Sequence, residues 1–542
     1  MKRNITLTLF LAVFSSVFAC AQSSPYSLPS QVRLSVVARA KASQTTPVAT
    51  TPITDQPEGD LLPGLEWMSK ACYAESGTLA WKDRGGLVAE VVRNGSEIYL
   101  HNPVSMLAGT VDCWVKGSLS SDGSVVTIPT PQAYVLNNPG TAQETMLYAT
   151  RINATNGSVE SDKMDLTFSY GDEGLTQTDG GLLAITDLEG NFYGYGDMNI
   201  QLRTITDKVT TLPKDLVPQS YTLSYEAQGI QSKQTAQVAI DGNEVYISNP
   251  LGSGISWLKA TLNGKSLSLP TKQYLGAEGG YLFYLCAAKD STYIVSNPVT
   301  GNQTVSTYRL VDKPFIQFEY DPTAKTFHSS DLMVVNAGHQ RLGDAYIAYD
   351  KPAYEPWTMV AATPATPQIN SYLDLFPYAA YGLSGAIVTF TVPAVDVNNN
   401  FIAQENLDYQ VSFDGQPKEL FGVVHIPYYY TGSDGSSVLQ GSGNNRQLQV
   451  VTAPTDSISI QSFYVVNGET RASDIITYLI SDGTTHTTSG ISTVRQSVPQ
   501  SSVSTTWYDL GGRVVSVPSS HGVYVCKMKY ADGKVIVKKV MR

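Results

Sequence analysis

Charge is scarce in this chain. Asp, Glu, Lys and Arg make up 15% of its 542 residues, and the balance is acidic, with a formal net charge of −11. Such a surface has little with which to neutralise phosphates, which excludes nucleic acid as a partner. Past Phe18, no apolar run approaches the roughly 20 residues that a membrane-spanning helix needs. Cysteine is rare as well: Cys20, Cys72, Cys113, Cys286 and Cys526 stand far apart, and none lies in a C-x-x-C spacing, so no redox or zinc-knuckle motif is present. The six histidines, His101, His328, His339, His425, His486 and His521, form no H-x-x-x-H or H-E-x-x-H pair, which argues against a zinc site. A G-x-S-x-G elbow and a P-loop are missing too. The expectation is a non-enzymatic protein with no catalytic residue, cofactor or metal. Paired carboxylates acting across space are invisible to a linear reading, so a carbohydrate-binding accessory or weak glycoside hydrolase stays as the alternative. Helical periodicity is absent between residues 60 and 350.

Turn formers and tyrosine are what the chain has in quantity. With 44 Gly, 28 Pro and 32 Tyr, the composition is that of short strands and many turns, an all-β protein. The length predicts about three or four domains. The start is an export signal: Lys2 and Arg3, an apolar stretch from Ile5 to Phe18, then Ala19-Cys20-Ala21 as an A-x-A site. Cleavage after Ala21 leaves Gln22 first. The alternative takes Val17-Phe18-Ala19-Cys20 as a lipobox, with Cys20 acylated, as in a fimbrial or lipoprotein surface component. Residues 22–59 are rich in Ser, Thr, Pro and Gln and read as a tether without a core.

Two segments are near copies. VVRNGSEIYLHNP (91–103) matches VAIDGNEVYISNP (238–250). Asp60-Leu61-Leu62-Pro63 matches Asp215-Leu216-Val217-Pro218, and Trp114-Val115-Lys116 matches Trp257-Leu258-Lys259. TIPTPQAYV (127–135) matches SLPTKQYLG (268–276), and Phe168-Ser169-Tyr170 matches Phe318-Glu319-Tyr320. Two tandem β domains follow, 60–212 and 213–352, each a meander closing as a barrel or a two-layer sandwich. Asn94-Gly95 and Asp241-Gly242 predict two-residue type I′ turns. That register places Val91 opposite Ile98, Ala89 opposite Leu100, Val238 opposite Val245 and Ala236 opposite Ile247. Asn263-Gly264 predicts a similar turn pairing Leu258 with Leu269. Tyr99, Tyr246, Trp114 and Trp257 then mark a possible ligand face, with Glu90 across from Tyr99, Gln237 across from Tyr246 and Lys259 beside Trp257. The plainer reading packs these aromatics under another layer. Cys72 and Cys113 are either a disulfide within the first copy or buried free thiols.

Residues 353–482 alternate as strands at 387–392, 407–413 and 458–464, which predicts an immunoglobulin-like sandwich. SFYVVNGETRASDIITYL (462–479) resembles the last strands of a fibronectin type III module, with Asn467-Gly468 as the turn. Asp396-Val397-Asn398-Asn399-Asn400 starts like a calcium loop. Phe401 stands where that loop needs Gly and Leu407 where it needs Glu, so a hairpin loop is expected. Tyr428-Tyr429-Tyr430 is the densest aromatic run, and at least one of the three should be exposed for contact. Residues 483–505 read as a linker.

The end of the chain, TWYDLGGRVVSVPSSHGVYVCKMKYADGKVIVKKVMR (506–542), carries Tyr508-Asp509-Leu510, Gly512-Arg513, Gly522-Val523-Tyr524, Asp532-Gly533-Lys534 and Lys538-Lys539. In that order these residues resemble the C-terminal sorting domain of the type IX secretion system of Bacteroidetes. The central repeats also resemble uncharacterised surface modules of those bacteria. The resemblance implies a secreted or outer-cell-surface protein that engages the type IX machinery and, in some cases, surface lipopolysaccharide. The ligand, a glycan or a cell-surface protein, is not specified by any motif.

Overall fold

The computed structural model describes residues 49–489, apart from 76–77, 108–112, 138–143, 155–162, 188–189, 228–229, 252–255, 298–300 and 376–384, together with the strands of a small sheet between 504 and 541. Cys20, Ala21 and Gln22 lie outside the described residues. The protein is all-β: among the described residues no helix reaches seven residues. Two compact units divide between Trp357 and Thr358.

The second repeat is a closed eight-stranded barrel. Its ring runs Gln219–Ala227, Ile230–Asp241, Glu244–Ser248, Trp257–Asn263, Ser266–Pro270, Phe315–Asp321, Thr326–His328 and Tyr346–Pro356, and the last strand bonds back to the first. Closure removes the open sheet edges that a meander would leave. The first repeat closes along the same path: Leu65–Glu75, Thr78–Ala89, Val91–Asn94, Glu97–His101, Trp114–Leu119, Val125–Pro129, Asp165–Gly171, Gly174–Gln177 and Phe192–Thr204. Here Glu90 interrupts what is one continuous strand in the second copy. Each ring has a side sheet built on its last strand. In the second copy this sheet contains Leu332–Ala337 and the 17-residue strand Tyr281–Asn297. That strand pairs with Gly301–Val311 as a long hairpin.

The barrel interiors hold the apolar residues that the two copies share. Val91, Ile98, Leu100, Val115, Ile128 and Phe168 in the first, and Val238, Val245, Ile247, Leu258, Leu269 and Phe318 in the second, are all at most 2% exposed. Burying each such side chain contributes about 1.5–3 kcal/mol before entropy is counted. The predicted faces are right, but the pairing is displaced by two residues. Val91 faces Leu100 and Arg93 faces Ile98; Val238 faces Ile247 and Ile240 faces Val245. Val92 and Ala239, rather than Glu90 and Gln237, stand across from Tyr99 and Tyr246. The turn residues are Gly95-Ser96 and Gly242-Asn243, with positive φ at the glycine alone. That is the type II′ pattern, with glycine first, instead of type I′. Asn263 likewise pairs with Ser266, so the next turn is Gly264-Lys265. A shift of two keeps every side chain on its face because the strand period is two.

The barrels join along a seam. Leu87 pairs with Tyr281, and Val88 N–H donates to Gly280 O (2.8 Å). Gly86, at φ +70°, lies so close that a Cβ there would stand 2.3 Å from the Ala337 carbonyl carbon. Across the seam the buried Arg84 guanidinium pairs with Asp344, which also meets Lys82.

Two sheets form the sandwich of the second unit. One runs Gln368–Asp374, Ala386–Thr391, Asn445–Val450, Ser437–Ser442 and Gly432–Ser433; the other runs Gln416–Pro417, Leu407–Phe413, Ser457–Val466, Ile475–Leu479 and Thr484–Thr488. The first four strands of one sheet and the three central strands of the other are connected as in immunoglobulin domains. Phe390 meets Tyr409 edge-on between the sheets, with ring centroids 5.5 Å apart. Asn467 and Gly468 both have positive φ and form the expected type I′ turn. Two boundaries move. The barrel's closing strand continues to Pro356, past the expected start at 353. Thr484–Thr488, expected in a linker, pairs with Ile475–Leu479, because β-branched threonine favours a strand even where every side chain is exposed. The terminal sheet has four antiparallel strands in the order Val514–Val515, Ser504–Tyr508, Val523–Lys529 and Val535–Met541.

Candidate functional site

The hairpin shared by the two repeats places the same three side chains together. Tyr99 donates to Glu97 Oε2 (2.6 Å), Lys116 pairs with Glu97 Oε1, and the Lys116 ammonium lies 5.6 Å from the Tyr99 ring centroid. In the second copy Tyr246 donates to Glu244 Oε2 (2.7 Å), Lys259 pairs with Glu244 Oε1 (2.5 Å), and the ammonium is again 5.6 Å from the ring. The lysine and the tyrosine hydroxyl both bond to the carboxylate and hold Glu97 and Glu244 below the ordinary glutamate range. These groups are mutually satisfied.

The face they occupy is covered, in line with the plainer reading, and the alternative of a ligand face at Tyr99, Tyr246, Trp114 and Trp257 is corrected. Tyr99, Tyr246 and Trp114 are buried and Trp257 is half-buried. Residues read as tether provide the cover. Trp114 N–H donates to Ile53 O (2.8 Å), Ala133 N–H donates to Ala49 O (2.9 Å), and Ile53 packs on Val92, Tyr99 and Trp114. The segment before the second barrel makes the matching backbone bond, with Trp257 N–H on Thr210 O (2.8 Å). Each barrel thus has its own clasp. The first was hidden in the sequence because its Ser/Thr/Pro composition matches that of a solvated linker.

In the sandwich, Tyr428 is buried, donating to Asn444 Oδ1 (2.5 Å), while Tyr430 is partly covered and Tyr429 is 60% exposed. Tyr429 stands edge-on to Tyr428, at 5.2 Å between centroids. Asp396 is no open cation loop. Its Oδ1 accepts the N–H groups of Asn398 and Asn400 (both 2.8 Å), and its Oδ2 accepts Asn400 Nδ2 (3.1 Å). Cys72, Cys113 and Cys286 are buried and form no disulfide. Burial pushes the Cys72 and Cys286 thiols up to about 12. Of the sorting residues, Tyr508, Tyr524 and Lys538 lie on strands of the terminal sheet. Asp509, Leu510, Gly512, Arg513, Gly522 and Gly533 lie outside the described residues.

The structure assembles one site that the sequence does not announce. At the seam lies a cleft of about 410 Å³, walled by Trp67, Glu90, His101, Asn102 and Ser105 of the first barrel and by Ala277 to Gly280 of the second. Glu90 sits at the strand break, where its carboxylate meets His101 Nδ1 at 2.7 Å. The imidazole is stacked on Trp114, with centroids 4.5 Å apart and planes at 22°. Glu278, from the other repeat, is exposed and also lines the cleft. Beneath the cleft a fully buried Asp197 accepts Ser105 N–H (2.8 Å), Ser105 Oγ–H (2.6 Å) and the Ser69 hydroxyl. Burial raises its carboxyl, and the hydrogen bonds oppose the rise. The two cleft carboxylates come from non-equivalent positions of the repeats, since Gln237 is the counterpart of Glu90. No family model, curated protein or solved structure matches the chain.

Proposed function

We propose that this chain is an exported, non-catalytic binding protein, displayed on the cell surface or secreted, whose ligand meets the seam cleft of the tandem barrels. The observation that carries the binding reading is the cleft itself. It is concave, within the size range of ligand sites, and built by side chains of both repeats. The hairpin aromatics, by contrast, have partners within their own barrel. The export reading is supported by the leader at Lys2 to Ala21 and by the terminal motif residues, of which Tyr508, Tyr524 and Lys538 fall on an antiparallel sheet. In this reading the partners are the type IX machinery, then surface lipopolysaccharide or the medium.

The test compares the mature chain with Ala277→Trp, which fills the cleft from an exposed position, and with Tyr429→Ala on the sandwich. Binding to glycan arrays and to cell surfaces is expected to fall at least tenfold in Ala277→Trp and to persist in Tyr429→Ala. The opposite pattern moves the contact surface to the sandwich. Removal of 506–542 tests export separately; undiminished surface delivery rejects the sorting reading.

A further inference from the structure

The chemistry of the seam cleft specifies a class of ligand. Its accessible ionic groups are two carboxylates, Glu90 with 47% of its side chain exposed and the exposed Glu278, together with His101 at 20%. Among the described residues no Lys or Arg lines the cleft. Arg84 reaches its floor, donating to Ser105 O (3.2 Å), but its charge is balanced within the seam by Asp344. The one indole in the wall, Trp67, is 4% exposed, and its N–H is given to Ser69 (3.0 Å). A buried ring offers no face for a sugar to stack on. At Gly279 and Gly280 a Cβ would meet nothing within 4 Å, so this part of the rim is open. Two exposed carboxylates lining one partly enclosed cleft favour a positive charge there, more strongly than on an open surface.

We infer that the seam cleft binds an organic cation, the guanidinium or ammonium of an arginine or lysine side chain on a polypeptide. This rests on the cleft being the binding site. Glu90, oriented by His101, and Glu278 supply the negative charge that holds the head, and a guanidinium donates its N–H groups to carboxylate oxygens.

The experiment titrates the mature chain with Ac-Gly-Gly-Arg-Gly-Gly-amide, with the lysine peptide, and with the citrulline peptide, which keeps the shape and loses the charge. Binding is expected for the arginine peptide, or for the lysine peptide if an ammonium fits better, with at least tenfold weaker binding of citrulline. Glu278→Gln should weaken binding about tenfold, the equivalent of about 1.4 kcal/mol, and added salt should weaken it further. Ala277→Trp should abolish it. Equal affinity for citrulline and arginine, or no binding of either cationic peptide, overturns the cationic class. If array ligands are then still lost in Ala277→Trp, the cleft itself stands as the site. Cationic peptides that bind Ala277→Trp unchanged overturn both.

Discussion

Asp344 and Arg84 carry a large single-residue risk in the tandem barrels. Their side chains are 6% and 3% exposed, so removing one leaves the other charged and buried. Asp344→Ala should cost about 3–5 kcal/mol in urea unfolding of residues 49–357, and adding Arg84→Met to that variant should recover much of the loss. The paired triads respond to acid instead. Glu97 and Glu244 titrate lower in the folded protein than when unfolded, so their contribution is present above the unfolded value, about pH 4.3, and is lost as pH falls through the folded one. Glu97→Gln with Glu244→Gln should flatten the acid side of the stability profile, read by thermal melts below about pH 4.5. The buried thiols give a third check. Iodoacetamide should leave Cys72, Cys113 and Cys286 unmodified in the native protein and label them after denaturation, as peptide mass spectrometry can read.

The clasps decide where each barrel begins. Ile53 and Thr210 hold the backbone amides of Trp114 and Trp257, so the barrel sheet extends into segments that lie before Asp60 and Asp215. Deleting residues 22–58 should remove the hydrogen-exchange protection of the Trp114 amide and leave that of Trp257 unchanged. Deleting 22–48 should leave both protected. The packing lost with Ile53, which is only partly buried, is on the order of 1–2 kcal/mol. The strands themselves were readable, because alternating apolar residues between turn residues have one economical arrangement. The turn type was not. Asn-Gly sequences suggest a loop on both residues, yet at Asn94-Gly95, Asp241-Gly242 and Asn263-Gly264 the first residue pairs in the ladder and the glycine opens the loop. At Asn467-Gly468 both residues turn. The local sequence is compatible with both, and the register across the whole barrel selects between them.

The seam turns two repeats into one unit and creates a cleft to which both contribute. Gly86 is its tightest point. Gly86→Ala would set a Cβ against the backbone of Ala337 and Gly338 and hold a non-glycine residue at φ +70°. It should cost several kcal/mol, about 2–4, and should make the two barrels unfold in separate transitions, as calorimetry would show, where the native unit unfolds in one. None of this was legible beforehand. Glu90 and Glu278 are nearly two hundred positions apart in a chain where each looks like an ordinary exposed strand or turn residue. The same holds for His101, which had only its isolation among histidines to mark it.

The amino-acid sequence by itself determined the all-β class, the duplication, the faces of the shared strands and the apolar residues of both cores. Those follow from alternation, which depends only on neighbours along the chain and on the twofold period of a strand. Tertiary structure decided the rest: that each repeat closes as a barrel, that Ser/Thr/Pro-rich segments clasp the hairpin aromatics, and that Tyr99 and Tyr246 face a covering layer in place of solvent. It also decided that the two barrels share a cleft. These depend on which distant strands meet, and pairing between distant strands is set by closure and packing of the whole unit, which no local pattern encodes.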